Sequence, residues 1–291
     1  MVKRPFGSTG DMLSVLGFGS IILVLHEQNT ANRLVSEAAA SGINYFDVAP
    51  SYGDVFGVRG DAEVKLGPAL RPYRKDCFLA CKTGMRSRKE AEFEFNLSLE
   101  RLETDYFDLY QLHGLTNLQT DVDQVFMKGG VMDMLIEKKR EGKIRNLGFS
   151  AHSTEAALSA MERYDFDSVL FPVNYACWYK GGFGPEIMQK AIETNTARLA
   201  LKALAKQRRS PAYPETSFPK CWYEPITERD LAARVLRWTL SQPVTAAVSP
   251  GEEKLYKLAL SIIQEGIHIQ DDDLERVKKD ALLSNPIFPD L

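Results

Sequence analysis

The sequence lacks the features that mark a membrane, secreted or nucleic-acid-binding protein. No apolar run approaches membrane-spanning length, and the opening Met-Val-Lys-Arg-Pro-Phe-Gly has no apolar signal region. The 36 Lys and Arg residues against 39 Asp and Glu residues give a net charge of −3, without a basic block. We therefore expect a cytoplasmic protein with neither a membrane nor a nucleic-acid partner.

Cysteine is also scarce, with four residues in 291. Cys77 and Cys81 share one face of a predicted strand, where a spacing of four residues separates them by ~13 Å, too far for a disulfide. Cys177 and Cys221 have no Cys or His at metal-ligand spacing. The pattern predicts four reduced thiols and no metal site.

The chain lacks the glycine-rich phosphate loop of a doubly wound open sheet. Gly17-Phe18-Gly19 is followed by Ser-Ile-Ile, with no third glycine and no immediate helix. From residue 16 onward, short apolar strands alternate with amphipathic helices, the pattern of strands buried on both faces. The predicted strands are 16–19, 45–47, 77–82, 107–113, 146–150, 168–174, 197–202 and 246–249.

Eight such β-α units in about 250 residues are typical of an α/β protein with a (β/α)8 TIM barrel. Residues 2–16 predict an N-terminal β-hairpin with its turn at 7–11. Residues 271–283 predict an extra helix at the C-terminal end. We expect residues 1–291 to form a single barrel domain.

Asp47, Lys82 and His113 each stand at the carboxyl end of one of three successive predicted strands, with Tyr52 just beyond the first. Neighbouring strand ends meet at the active-site face of a barrel. Taken singly, each residue also fits a structural role such as capping a turn or packing at the rim. Together they predict a site in which Lys82 pairs with Asp47 and lowers the pKa of Tyr52 toward working pH. Tyr52 would then protonate a carbonyl oxygen while hydride reaches the carbon, and a neutral His113 would orient that oxygen.

Long connections follow the fourth, sixth and seventh strands, at 114–130, 176–184 and 203–227, and leave from the same barrel face. Their aromatic content predicts an aromatic-walled pocket, with Trp178 and Trp222 as substrate contacts. Packing against the barrel rim is the competing explanation for about half of these rings. The aromatic residues concerned are Trp178, Tyr179, Phe183, Tyr213, Phe218, Trp222 and Tyr223.

Residues 44–53, 78–84 and 101–113 resemble signature segments of the aldo-keto reductase family. The opening segment, residues 142–150 and residues 248–251 also fit, so the resemblance spans nearly the whole chain. Asp47, Tyr52, Lys82 and His113 fall on the positions of the family's catalytic tetrad. The resemblance implies a barrel that binds NADP(H) or NAD(H) in extended form. It also implies reversible hydride transfer to a small aldehyde or ketone.

The resemblance also implies a set of cofactor-binding positions, several of which depart from the family's common residues. Ala151 follows Ser150 where the family usually has asparagine, and Asn174 stands in place of a glutamine. Lys202 replaces the aromatic residue that stacks on nicotinamide; its stem can cover a ring and its charge can pair with the diphosphate. The implied positions are Gly19, Ser150, Asn174, Lys202, Gly251, Glu252 and Lys254.

The resemblance implies NADP on family prevalence, with NAD as the close alternative, although the residues at the adenosine end depart from the NADP pattern. Glu252 and Glu253 stand where NADP-preferring members usually offer basic residues, and two carboxylates would repel a 2′-phosphate but bind a ribose hydroxyl. Helix N-terminal preference also explains two acidic residues here. Lys254 and Lys257 follow and supply positive charge.

Two other functions remain open from the sequence. One is a nicotinamide-binding regulatory module that acts through a protein partner, a role the resemblance includes. The other is a barrel lyase or isomerase that forms a Schiff base on Lys82. The sequence names neither the carbonyl substrate nor the oligomeric state, for which we expect a monomer or a small homo-oligomer.

Overall fold

The computed structural model describes residues 1–213 and 217–289, and its centre is a closed barrel of eight parallel strands. Around the barrel the strands follow the order β12-β3-β4-β5-β6-β7-β8-β9. This confirms the predicted (β/α)8 architecture. The barrel strands are β3 (Leu16–Gly19), β4 (Tyr45–Asp47), β5 (Phe78–Thr83), β6 (Phe107–Leu115), β7 (Ile144–Ala151), β8 (Ser168–Pro172), β9 (Ala197–Leu201) and β12 (Ala246–Val248).

Helices connect these strands and cover the outside of the barrel, and the last one is the expected extra helix. No helix in the described part of the chain is long and apolar enough to cross a membrane. The helices are α1 (Gln28–Ala40), α2 (Asp61–Leu70), α3 (Arg88–Arg101), α4 (Asp123–Val125), α5 (Val131–Arg140), α6 (Thr154–Arg163), α7 (Tyr175–Tyr179), α8 (Pro185–Glu193), α9 (Arg229–Ser241), α10 (Glu253–Glu265) and α11 (Asp271–Leu283).

An N-terminal hairpin of β1 (Lys3–Pro5) and β2 (Met12–Ser14) closes the amino-terminal end of the barrel. Phe6 and Leu13 are fully buried and belong to the cluster that fills the barrel interior. The Phe6 ring packs on Phe78 of β5 with 5.0 Å between ring centroids. The barrel interior is therefore filled at this end, and a cavity opens at the carboxyl ends of the strands.

The connections after the sixth and seventh barrel strands contain more regular structure than the sequence predicted. β8 ends at Pro172, and the predicted loop at 176–184 begins with the short helix α7. The connection at 203–227 contains an antiparallel pair, β10 (Ala205–Arg208) and β11 (Tyr223–Pro225). Residues 214–216 of that connection lie outside the described part of the chain.

Candidate active site

A buried ion pair between Asp47 and Lys82 lies at the centre of the site. Asp47 is the last residue of β4 and is 0% exposed, while Lys82 in the neighbouring strand β5 is 1% exposed. The Lys82 ammonium donates to Asp47 Oδ1 and, at 3.2 Å, to the carbonyl oxygen of Val48. Tyr45 donates to the other carboxylate oxygen at 3.2 Å. Both charges are therefore paired and hydrogen-bonded, as buried charges require.

Tyr52 completes this network from the loop after β4. Its hydroxyl donates to Asp47 Oδ1 at 3.0 Å and accepts from Lys82 Nζ at 3.2 Å. The next residue, Gly53, has φ of +110°, and a Cβ there would lie 2.4 Å from the carbonyl oxygen of Val58. Only glycine fits at position 53. The turn that it allows places Tyr52 beside the ion pair.

The predicted effect of Lys82 on the pKa of Tyr52 is wrong. Burial raises the pKa of Tyr52 well above its ordinary value, and the Asp47 carboxylate raises that pKa further through its charge and its hydrogen bond. Lys82 does not reverse this, because its charge is paired with the same carboxylate that the phenol faces. The raised pKa keeps Tyr52 protonated at neutral pH.

His113 faces Tyr52 from β6. The two rings meet edge to face with 6.2 Å between centroids, and His113 Nδ1 lies 3.4 Å from Ser51 Oγ. The pairing of β6 with β7 is irregular between Leu112 and Leu115, which re-aims the side chains at the end of the strand. Burial, and then the charge of Lys82, lower the pKa of His113 well below its ordinary value. The imidazole is neutral, as the sequence predicted.

Tyr52, Lys82 and His113 line one cavity of about 230 Å3 at the carboxyl ends of the strands. Asp47 lies behind these three side chains and is not part of the cavity lining. Of the other predicted site residues, the cavity lining contains Gly19, Ser150, Lys202, Trp222 and Gly251.

The cavity is smaller than the ~300–1,000 Å3 of typical ligand sites, and Lys220 links two segments beside it. The Lys220 backbone N–H donates to Glu252 Oε1 at 2.7 Å, and its ammonium donates to the carbonyl oxygen of Ile22 at 2.6 Å. Lys220 also forms part of the cavity lining. We call this bridge from residue 220 to residues 22 and 252 the strap.

Lys202 follows β9 in an unusual conformation for a lysine, with φ of +62°. Its ammonium lies over two aromatic rings, 5.1 Å from the centroid of Tyr223 and 5.6 Å from that of Trp222. Burial lowers the pKa of Lys202. Trp222 itself is 53% exposed and packs edge-on against Tyr223 and Phe288.

Ser150 and His152 provide the polar groups at the end of β7. Ser150 Oγ accepts from the Gly114 N–H at 2.8 Å, whereas Ala151 between them is buried and apolar. His152 also lines the cavity, and sequence reasoning missed it. The signal was available, because His152 follows a predicted barrel strand just as His113 ends one.

A sequence model of the Aldo/keto reductase family matches residues 16–215, more than half of the chain.

The chain belongs to the aldo/keto reductase family.

The family model confirms the resemblance, and the solved structures confirm the barrel fold. The chain is 27% identical over 289 residues to an uncharacterized oxidoreductase of Bacillus subtilis (strain 168), with 90% of each chain covered. It is 29% identical over 192 residues to the L-galactose dehydrogenase of Arabidopsis thaliana, covering 60% of this chain and 56% of that one. The holo form of an aldo-keto reductase from Bacillus halodurans superposes with a TM-score of 0.73 at 23% identity, with 96% of both chains covered. Membership of the aldo/keto reductase family implies carbonyl oxidoreduction with a nicotinamide cofactor.

Asn174 of this aldo/keto reductase is not placed as the sequence suggested. Its side-chain N–H groups donate to the carbonyl oxygens of Lys202 and Ala205 at 2.9 and 2.8 Å. Its side-chain oxygen accepts from the N–H groups of Ala176 and Cys177 at 3.0 and 3.1 Å. The amide has two hydrogens and two lone pairs, so no capacity is left for a cofactor. Asn174 caps α7 and ties it to the connection after β9.

The acidic residues at the adenosine end are all engaged by other groups. Glu253 forms ion pairs with Arg33 at 3.2 Å and with Lys257 at 2.6 Å. Glu252 accepts the hydrogen bond from the backbone N–H of Lys220 in the strap. Lys254 is exposed and makes no ion pair with any residue between 1 and 213 or 217 and 289. Neither Glu252 nor Lys254 lines the cavity.

Trp178 also lies away from the cavity of this reductase. Its ring meets Trp238 of α9 edge to face, with 5.9 Å between centroids. A Cβ at Gly184, where φ is +112°, would lie 3.1 Å from the Trp178 ring. Trp178 thus packs between α7 and α9, and of the two predicted substrate contacts only Trp222 lines the cavity.

Proposed function

We propose that this aldo/keto reductase interconverts small aldehydes or ketones with their alcohols, with Tyr52 as the general acid and base. The observation that carries the proposal is the position of the Tyr52 hydroxyl. It lies in the cavity lining, hydrogen-bonded to both Lys82 and Asp47 and next to a neutral His113. A carbonyl oxygen placed between Tyr52 and His113 meets two hydrogen-bond donors and one transferable proton.

Tyr52, Lys82 and His113 have different roles in carbonyl reduction because they differ in charge. Tyr52 donates its proton to the carbonyl oxygen, and the neighbouring Lys82 ammonium at 3.2 Å stabilises the phenolate that remains. His113 donates a hydrogen bond that holds the carbonyl oxygen toward Tyr52. A nicotinamide dinucleotide, when bound, would provide hydride chemistry at the carbonyl carbon. In alcohol oxidation the Tyr52 phenolate takes the proton back.

Four residues of the cavity lining are our candidates for holding the dinucleotide. A Cβ at Gly19 would lie 2.6 Å from the carbonyl oxygen of Ser249, and one at Gly251 would lie 2.8 Å from Ile21. Packing against the protein itself therefore requires glycine at both positions, and both residues line the cavity. Gly19, Ser150, Lys202 and Gly251 are the residues that would hold the cofactor, and its entry requires the strap to open.

We favour NADP as the cofactor, with NAD as the alternative. Glu253 is neutralised by Arg33 and Lys257, so the repulsion expected from this acidic pair is reduced. The exposed Lys254 at the start of α10 supplies charge for a 2′-phosphate.

A Schiff base on Lys82 is less consistent with this geometry. The nucleophile for a Schiff base is the neutral amine. Here the Lys82 nitrogen donates to a buried carboxylate, a carbonyl oxygen and a phenol, so protein groups already engage it on three sides.

The test is turnover of the purified protein with NADPH or NADH and a panel of small aldehydes and ketones. Tyr52→Phe should abolish carbonyl reduction while the dissociation constant of the cofactor changes by less than about twofold, because one uncharged hydroxyl is lost. Tyr106→Phe is the matched control, since the Tyr106 ring lies between Arg74 and Arg145 before β6 begins. Equal turnover by Tyr52→Phe and the parent enzyme would refute the role of Tyr52.

A further inference from the structure

His152 has polar groups that the described structure does not use. Its ring lines the cavity and packs on Phe288 with 4.6 Å between centroids. Nδ1 is buried with no hydrogen-bond partner, and the ring makes no other side-chain hydrogen bond within the described residues. Its backbone N–H donates to the carbonyl oxygen of Leu115 at 3.0 Å, which anchors the residue at the end of β7. An unpartnered buried nitrogen is unfavourable and requires an explanation.

The imidazole of His152 is neutral in this setting. Burial lowers its pKa to about 4, and the positive charge of Lys202 contributes in the same direction. A neutral imidazole carries one N–H donor and one acceptor nitrogen. His152 therefore offers the cavity a hydrogen-bond acceptor, which neither Ala151 nor the fully occupied Asn174 can provide.

Ser150 supplies the complementary donor. Its oxygen accepts the Gly114 N–H, which leaves the hydroxyl hydrogen free to point into the cavity. Residues two apart along a strand are separated by about 6.6 Å. A primary amide bridges such a donor and acceptor, since its oxygen and its nitrogen lie on opposite sides of one carbon.

We propose that Ser150 and His152 together bind the nicotinamide carboxamide, with Ser150 donating to the amide oxygen and His152 accepting from the amide nitrogen. This inference depends on the proposed function, because it assigns the orientation of the nicotinamide ring in the same cavity. His152 would then be a positioning residue, since it fixes which face of the ring is turned toward Tyr52.

The test compares two dinucleotides by isothermal titration calorimetry. One is NADP+ and the other is its 3-acetylpyridine analogue, in which a methyl group replaces the amide nitrogen and removes the donor. We expect the parent enzyme to prefer NADP+ by about 5–10-fold, the worth of one net hydrogen bond. His152→Leu should lose this preference by weakening NADP+ alone, and His152→Gln, whose amide oxygen accepts, should retain most of it.

His268→Leu is the matched control, because His268 is exposed and lies between α10 and α11 at another cavity. Thermal unfolding of each variant checks its fold. The inference is overturned if His152→Leu keeps the preference for NADP+, or if it weakens both dinucleotides equally, which would indicate packing alone. It is also overturned if His152→Leu leaves both dissociation constants unchanged and raises only the KM of the carbonyl. Failure of the parent enzyme to bind either dinucleotide would overturn the proposed function as well.

Discussion

The Asp47 carboxylate controls how tightly Tyr52 holds its proton. It accepts the phenol hydrogen bond at 3.0 Å, and its charge raises the pKa of Tyr52 in addition to the effect of burial. In the proposed function carbonyl reduction needs the protonated phenol, so we expect activity to fall as pH rises through the pKa of Tyr52. Because that pKa is raised, reduction should stay constant from neutrality beyond pH ~10, the ordinary pKa of tyrosine.

Asp47→Asn should shift the loss of activity at alkaline pH, the alkaline limb of the pH profile, to lower pH. The substitution removes the negative charge that disfavours phenolate, while the Lys82 ammonium at 3.2 Å still favours it. We expect the midpoint of the alkaline limb in kcat/KM to fall by at least about one pH unit. The measurement is kcat/KM for one aldehyde between pH 6 and 11, with circular dichroism to verify the fold. Superimposable profiles for the parent and the variant would show that Asp47 has no such control.

Among the elements, the short helix α7 depends on the side chain of Asn174. The Asn174 amide makes hydrogen bonds with four backbone groups, two in the connection after β8 and two in the connection after β9. The residue is 1% exposed. Loss of a helix N-cap costs about 0.5–2 kcal/mol, and each backbone group left unpaired adds about 1–3 kcal/mol.

Asn174→Ala removes the cap and leaves two carbonyl oxygens unpaired, so it should lower the free energy of unfolding by roughly 2.5–8 kcal/mol. Urea denaturation measures this change. In the fraction that remains folded, the dissociation constant of the cofactor should change by less than about threefold, because the Asn174 amide makes no contact in the cavity. A large loss of cofactor affinity with unchanged stability would instead make Asn174 a cofactor ligand.

The strap should slow both entry and exit of the dinucleotide. It closes the cavity through two hydrogen bonds, from the Lys220 N–H to Glu252 and from the Lys220 ammonium to the carbonyl oxygen of Ile22. Glu252→Ala removes the first of them. Since one net hydrogen bond to a charged group contributes about 1.5–3 kcal/mol, we expect both rate constants to rise by about tenfold or more.

Stopped-flow fluorescence measures these rates directly. The matched control is Glu228→Ala, since Glu228 also precedes a helix but makes no capping bond with its side chain. If Glu252→Ala and the control show equal rates, the strap does not limit exchange.

At the scale of the whole molecule, the packed cluster under the N-terminal hairpin and the candidate active site lie at opposite ends of the barrel. The N-terminal hairpin inserts Phe6 and Leu13 into the interior cluster, whereas Tyr52, Lys82 and His113 line the cavity at the other end. Residues at the amino-terminal face should therefore affect the free energy of unfolding more than they affect catalysis.

Phe6→Ala should lower the free energy of unfolding by about 3–5 kcal/mol, because it leaves a cavity in a packed core. The KM values of the folded enzyme should stay close to those of the parent. Val2→Ala is the control, since Val2 is 49% exposed. Urea denaturation and steady-state kinetics on the same samples check both statements, and a Phe6→Ala enzyme that keeps full stability would contradict them.

The sequence by itself determined the barrel and the approach of Asp47, Tyr52, Lys82 and His113, because the period of strands and helices is local and parallel strand ends meet at one face. Only the tertiary structure decided the environment of each group. Asn174 is fully occupied by backbone partners as distant as Ala205, Tyr52 is governed by burial beside Asp47, and His152 is left without a partner in the cavity lining. Hydrogen-bond capacity and pKa depend on neighbours that distant segments bring together.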